Sequence, residues 1–303
     1  MHGPFRTARV LTGPTGAGKT RLALEIAGRL NAEIVSMDSM ALYRGMDIGT
    51  AKPTVAERAA IAHHLVDVLD PWESASVGWW LKQAELACVE IAQRGKTALF
   101  VGGTPLYLKA LIFGLFEGPP ADEAIRQRLT AEAERDGAES LHRRLQTVDP
   151  PAAAKIHAND VRRVIRALEV FERTGQPISA QQTEWMAVPA DQPPTIPWIN
   201  WPRAELYERI DRRVEAMFAE GLAEEVRHVT SLPKPLSREA GQALGYREVG
   251  EYLTGRMSLA EAIAAVKTHS RQFAKRQVTW FRHLPGCFPV APELTGHLWH
   301  PTI

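Results

Sequence analysis

Short apolar runs alternate with amphipathic stretches through the first third of the chain. Val10-Leu11 is one such run; after a glycine-bearing break, Leu22, Ile26 and Leu30, with Ala23 and Ala27, recur at helical spacing. Glu33-Ile34-Val35-Ser36 then reads as a short strand. Residues 43–53 hold two glycines, a proline and no periodicity, which predicts an ordered loop over a site rather than an element. A helical pattern over 76–93 closes at Gly95, and Thr97-Ala98-Leu99-Phe100-Val101 reads as a buried strand ending in Gly102-Gly103-Thr104. A helix restarts at Pro105, where proline in the first turn and paired glycines before it mark a sharp strand-to-helix turn. This alternation predicts an α/β fold with a parallel sheet.

From about Glu117 the pattern changes. Gly118-Pro119-Pro120 marks a boundary, and three charged amphipathic runs follow: 121–135, 138–146 and 159–173. In the third, Val161, Val164, Ile165, Leu168 and Phe171 share one face, and Arg162, Arg166 and Arg173 the other, with Arg163 at its edge. After prolines at 189, 193, 194 and 197, Trp198-Ile199-Asn200-Trp201 resembles a returning strand. Residues 116–197 therefore read as a helical insertion into a core made of 1–115 and 198–303. Helical periodicity resumes over 203–221 and 258–282, and the second of these predicts Leu259, Ile263, Val266, Phe273 and Phe281 as its buried face.

Composition narrows the picture little. At 303 residues, 45% apolar and 23% charged, the chain fits one large domain or a core with an inserted subdomain. The net charge of +1 is silent about partners, so distribution decides. Lys267, Arg271, Lys275 and Arg282 lie towards one side of the 258–282 helix with Arg276 beside them, and no acidic residue occurs between Glu261 and Glu293. A stripe of one sign without neutralising carboxylates favours a nucleic-acid backbone over a solvated face. Cys88 and Cys287 lie far apart without partners at zinc-ligand spacing, and Cys88 reads as a small core residue. No stretch of 18 apolar residues and no signal-type apolar region is found, so the expectation is a cytoplasmic chain without a membrane partner, and nothing demands more than a monomer.

The chemistry centres on Gly13-Pro14-Thr15-Gly16-Ala17-Gly18-Lys19-Thr20, which fits G-x-x-x-x-G-K-[ST] at every fixed position between a strand and a helix. Backbone N–H groups freed by the glycines and the helix N-terminus suit a di- or triphosphate, Lys19 adds a full charge, and Thr20 a hydroxyl for Mg²⁺. Asp38, at the end of the second strand, faces the same crevice in an open parallel sheet. A nucleotide hydrolase normally carries an Asp at the end of a further strand, where this chain has Gly-Gly-Thr. The residues leave two reactions open. Either a phosphoryl group is transferred, as in an ATP-binding kinase or NTPase, or a diphosphate is held as leaving group while another bond forms.

The segment 38–53, together with Val101-Gly102-Gly103-Thr104-Pro105-Leu106-Tyr107, Arg166-Ala167-Leu168-Glu169-Val170, Gly245-Tyr246-Arg247 and Lys275-Arg276-Gln277-Val278-Thr279-Trp280-Phe281-Arg282, resembles the signature blocks of bacterial tRNA dimethylallyltransferases, the IPP transferase family, in the family's order. The resemblance implies transfer of dimethylallyl from its diphosphate to the N6 amine of the adenine 3′ of the anticodon, in tRNAs reading codons that begin with U. It implies a P-loop NTPase-like core that hydrolyses no nucleotide, with residues 13–20 and Arg209 holding diphosphate and Mg²⁺. Asp38 is the implied general base, and Thr104 the hydroxyl on the bridging oxygen of the leaving group. Implied tRNA contacts are Asp38, Ser39, Met40, Ala41 and Thr104, Arg126, Arg162, Arg163 and Arg166 in the insertion, then Gln242, Gly245, Tyr246 and Arg247, and finally Lys275, Arg276, Gln277 and Arg282. Many relatives carry Gln in place of Ala41, so an amide contact from that position is missing here. The neighbouring alternative is a prenyltransferase acting on free adenine nucleotide, which has little use for the insertion or the basic helix.

Overall fold

The computed structural model describes residues 3–115, 118–181 and 196–299. The chain divides into two compact units, one of Met1–Ile112 with Asp191–Ile303 and the other of Phe113–Ala190. In chain order the first half of the larger unit supplies β1 (Arg9–Thr12), α1 (Lys19–Arg29), β2 (Ala32–Ser36), α2 (Val55–Ala60), β3 (His63–His64), α3 (Val77–Gln93), β4 (Thr97–Gly102) and α4 (Pro105–Phe113). The smaller unit supplies α5 (Glu123–Asp136), α6 (Ala138–Val148), α7 (Pro150–Lys155), α8 (Val161–Thr174) and α9 (Ile178–Gln181). The larger unit resumes with β5 (Ile196–Ile199), α10 (Arg203–Ala219), α11 (Leu222–Thr230), α12 (Tyr246–Leu253), α13 (Leu259–His283) and β6 (Cys287–Val290).

Six strands form one sheet in the order β3-β2-β4-β1-β5-β6, and every pairing is parallel. Parallel strands buried on both faces read as continuous apolar runs, and β2 is buried at all its positions. The register sets Thr12 opposite Gly102 and Ser36 opposite Val101, so the carboxyl ends of β1, β2 and β4 lie side by side. The chain leaves β1 for β2 on one side and later returns to β5 on the other, which makes a switch point where such sheets bind ligands. Beneath those ends Trp80 stacks on Tyr107 with centroids 4.2 Å apart, and its Nε1 donates to the Ser36 carbonyl at 3.1 Å. At the other end of β2, Glu33 is almost wholly buried among Arg94, Lys96 and His64; the Arg94 hydrogen bonds hold its carboxyl down at about 2. Cys88 is core, as its position in the pattern predicts, and burial pushes its thiol up to about 12.

The seam of α13 differs from the predicted one. Ala262, Val266, Ser270, Ala274, Gln277 and Phe281 face inward, while Leu259 is 43% exposed and Ile263 and Phe273 are half-buried. Small residues in the seam let α13 lie close against α10 and α12, and the larger side chains flank that contact. Apolar periodicity locates the helix and buries Val266 and Phe281 correctly, but misses the small and polar residues that complete the seam.

The smaller unit has its own core of Leu129, Leu141, Leu145, Val164, Leu168 and Val170. Glu169 is fully buried within it and is held by Arg126 Nε at 2.9 Å, Arg166 Nη1 at 2.6 Å and the Asp122 N–H at 2.7 Å. Burial raises its pKa and these donors lower it further, for a net fall. Of the prolines read as a linker, 189, 193 and 194 lie outside the described residues.

Candidate active site

The loop between β1 and α1 is built by its glycines. Gly16 and Gly18 have φ of 79° and 85°, the left-handed region that side-chain-bearing residues avoid, and Gly18 caps α1. A Cβ on Gly16 would stand 2.8 Å from Ile210, so α10 packs directly against the loop. Lys19 folds back over it, its Nζ donating to the carbonyls of Gly13 and Pro14 at 2.9 Å each. Removal from water pushes this ammonium down to about 8, with Asp38 opposing the shift and Arg213 adding to it. Thr20 follows in the first turn of α1.

The ends of β2 and β4 are tied together beside this loop. The Met37 N–H donates to the Val101 carbonyl at 2.8 Å and the Thr104 N–H to the Met37 carbonyl at 3.2 Å. A Cβ on Gly102 would fall 2.2 Å from the Met37 backbone, so only glycine permits the approach. The Ser39 N–H donates to Thr104 Oγ1 at 3.0 Å, and the Met40 N–H to Asp38 Oδ1 at 2.9 Å. Asp38 is thus held in a turn beside Thr104, half-exposed, close enough to Lys19 and Arg213 to shift both. Loop amides and Lys19 can receive a phosphate-bearing group, and Asp38 is placed to take a proton beside it.

Of the two arginines one helical turn apart on α10, Arg209 donates through Nε to the Gly16 carbonyl at 2.9 Å, and its guanidinium lies 4.3 Å from the Trp201 ring centre. This contact with a loop carbonyl braces the loop. Arg213, which the sequence reading missed, is half-buried and senses Asp38; loss of hydration lowers its pKa and Asp38 opposes that. Its only sequence signal is its position four residues after Arg209.

Several residues expected on an RNA surface are engaged inside the chain. Gln277 is buried, accepting from the Thr15 N–H at 2.8 Å and donating to the Gly103 carbonyl at 2.6 Å, so its amide is not a surface contact. Tyr246 is buried with its hydroxyl on Glu225 at 2.6 Å; burial foremost, and then this carboxylate, raises its pKa. Ala41 is also buried. Arg126 and Arg166 hold Glu169, while Arg163 and Arg247 are exposed but paired, with Asp160 at 3.3 Å and with Glu248 at 3.4 Å. Gly245 is buried at the start of α12, and Ser39 and Met40 are half-exposed beside Asp38. Arg162, Gln242, Arg247, Lys275, Arg276 and Arg282 are exposed. The basic stripe is only partly free: carboxylates from α10 neutralise it, Glu215 pairing with Lys267 and Asp211 with Arg271 at 3.0 Å. The inference from missing carboxylates counted only residues on the helix itself.

Glu225 of α11 was also missed. Its carboxylate accepts from the N–H groups of Asp47 and Ile48 at 2.7 Å each and of Gly49 at 2.9 Å, besides the Tyr246 hydroxyl. It holds the 43–53 loop in place. No signal in the sequence pairs residues so far apart.

Among the described residues no helix is long and apolar enough to cross a membrane, and no group of three or more His, Cys, Asp or Glu side chains is placed to hold a metal. A parallel sheet with a glycine loop and lysine at its first strand–helix junction defines a chain of the P-loop NTPase-like fold class. Within that class the comparisons are specific. The IPP transferase family model matches residues 41–284, and the chain belongs to this family. It is 47% identical over 275 residues to a tRNA dimethylallyltransferase of Geobacter metallireducens, covering 90% of this chain and 88% of that one. A tRNA dimethylallyltransferase of Xanthomonas oryzae is 45% identical, over 96% of this chain and 91% of the other. Among solved structures, the tRNA isopentenylpyrophosphate transferase of Bacillus halodurans superposes with a TM-score of 0.66 at 40% identity, over 95% and 90% of the two chains. A eukaryotic dimethylallyltransferase acting on tRNA gives 0.77 at 28% identity, over 94% and 73%.

Proposed function

We propose that this chain transfers a dimethylallyl group from dimethylallyl diphosphate to the N6 amine of the adenine immediately 3′ of the anticodon, in tRNAs reading codons that begin with U, and releases diphosphate. The observation that carries this reading is the convergence of Lys19, Asp38 and Thr104 from three adjacent strand ends. In the reaction N6 forms a bond to the first carbon of the prenyl group while that carbon's bond to oxygen breaks, and the electron pair leaves with diphosphate. The N6 proton passes to Asp38, which offsets the weak nucleophilicity of an aromatic amine. Lys19 and the loop amides from Gly16 to Thr20 hold the departing charge, the Thr15 N–H being taken by Gln277; Thr104 aims its hydroxyl at the bridging oxygen, and Arg213 adds a cation on the same side.

Mg²⁺ fits this donor set as a companion of the diphosphate. Thr20 supplies a hard oxygen at the start of α1, suited to an ion held largely by its substrate. When bound, the ion neutralises diphosphate charge. The adenine must leave its stack to reach Asp38, so the anticodon loop is recognised with that base extruded. Lys275, Arg276, Arg282 and Arg162 are the exposed cations suited to the tRNA backbone, and Arg247 joins them once it gives up Glu248. We place the enzyme in the cytoplasm, where its tRNA is, and as a monomer.

Labelled dimethylallyl transfer measured on an anticodon stem-loop, on the same stem-loop lacking the target adenine, and on AMP tests the reading. Label is expected on the first alone. Transfer that ignores the target base sinks the assignment, and AMP as the better acceptor makes the chain an adenine-nucleotide prenyltransferase.

A further inference from the structure

The buried amide of Gln277 bridges two parts of the site that no other side chain of α13 joins. Its Oε1 accepts the Thr15 N–H of the phosphate loop at 2.8 Å, and its Nε2 donates to the carbonyl of Gly103, next to Thr104, at 2.6 Å. Fit around it is close, since a Cβ on Gly103 would stand 2.6 Å from Nε2 and 3.4 Å from Lys19 Nζ. The residue is 3% exposed although its neighbours Lys275 and Arg276 are exposed on the same helix. A primary amide is the side chain suited to this place, because one end must accept and the other donate. A carboxylate has no donor for Gly103, and an aliphatic chain leaves both a backbone N–H and a carbonyl without partners.

We propose that Gln277 is a positioning residue of the transfer reaction: it sets the spacing between the diphosphate-holding loop and the Thr104 turn, and makes no contact with RNA. The proposal rests on the function proposed above. It separates two effects that a single helix would otherwise merge. Lys275 and Arg276 govern the tRNA, and Gln277 governs the leaving group. Loss of the bridge frees the loop relative to Thr104, so the oxygen that must carry charge in the transition state loses its fixed donors.

The test uses Gln277→Leu and Gln277→Glu in the full chain beside Lys275→Ala. Binding of inorganic diphosphate with Mg²⁺ is read by calorimetry, and steady-state transfer to the stem-loop by labelled prenyl. For both Gln277 variants, diphosphate affinity is expected to fall and KM for dimethylallyl diphosphate to rise by about tenfold, with kcat lower and KM for the stem-loop unchanged. Lys275→Ala is expected to do the reverse, raising the stem-loop KM alone. A Gln277 variant that melts earlier yet keeps every kinetic and binding constant has lost only packing, and this overturns the proposal. So does a rise confined to the stem-loop KM. Should Leu fail to fold, Glu, which retains the acceptor for Thr15, carries the test. Wild-type protein that binds diphosphate, with the affinity loss in the variants, but never prenylates the stem-loop would sink the proposed function while leaving the bridge in place.

Discussion

At the scale of single residues, the site turns on a carboxylate, an ammonium and the turns that hold them. Asp38 accepts the Met40 N–H through Oδ1, and asparagine can make that same bond, so Asp38→Asn keeps the turn while removing the base. We expect kcat for prenyl transfer to fall by about 100- to 10,000-fold with stem-loop binding unchanged, measured by single-turnover transfer and by filter binding. Lys19 gives a second prediction through its pKa. Enclosure lowers it to about 8, so in the free protein the ammonium is charged below that pH and neutral above it. A diphosphate binds the charged form. Its affinity should therefore hold steady up to about pH 8 and decline as pH rises further. In Lys19→Arg the guanidinium stays charged throughout, and calorimetric titration across pH 7 to 10 (roughly) should lose that decline. A decline of equal size in Lys19→Arg assigns the pH dependence elsewhere. The positions of Lys19 and Asp38 beside the loop were legible because motif spacing and a strand end mark them, whereas the role of Thr104 comes from the family resemblance. Arg213 was not legible, since only packing of α10 decides which of two arginines on neighbouring turns faces Asp38.

Among the elements, those with long periodic patterns or punctuation were legible: β1, α1, β2, α3, β4, α4, α10 and α13 each fall where apolar spacing placed them. The missed ones are short. β3 has two residues, β6 four and α2 six, too few to show a period, and α11 and α12 are formed by packing on neighbours. The loop at 43–53 was recognised as ordered, but what orders it was hidden, because Glu225 lies on one of the missed helices. That carboxylate turns a glycine-bearing loop into a fixed wall, and Tyr246 closes it by packing on Gly49. Glu225→Ala leaves the N–H groups of Asp47, Ile48 and Gly49 without their acceptor. The expected cost is about 1–3 kcal/mol in stability, moderated by partial exposure of the group. Amide hydrogen exchange at 47–49 should accelerate while the amides of β1 and β4 stay protected. Unchanged exchange at those three amides would show that the loop is held by something else.

For the molecule as a whole, charge is the property that the linear sequence described least well. The net value of +1 hides exposed cations on α13 and α8, and the apparent stripe on α13 is shortened by Asp211 and Glu215 from α10, more than fifty positions away in the chain. Lys275, Arg276 and Arg282 have no acidic partner among the described residues, whereas Lys267 and Arg271 do. An RNA backbone gains from free cations by releasing its counterions, and an arginine already paired with aspartate must first give up that pair. The two kinds should therefore separate in a salt titration. With stem-loop binding measured from low to moderate salt, Arg276→Ala should reduce the slope of log K against log salt by about 0.7–0.9, the amount for one phosphate contact. Arg271→Ala should leave the slope nearly unaltered and lower the melting temperature instead, because it strips Asp211, whose Oδ1 already lacks a partner, of its remaining ion pair. Equal slopes for the two variants would mean that the Asp211 pair opens on binding, and the whole stripe would then count as RNA surface.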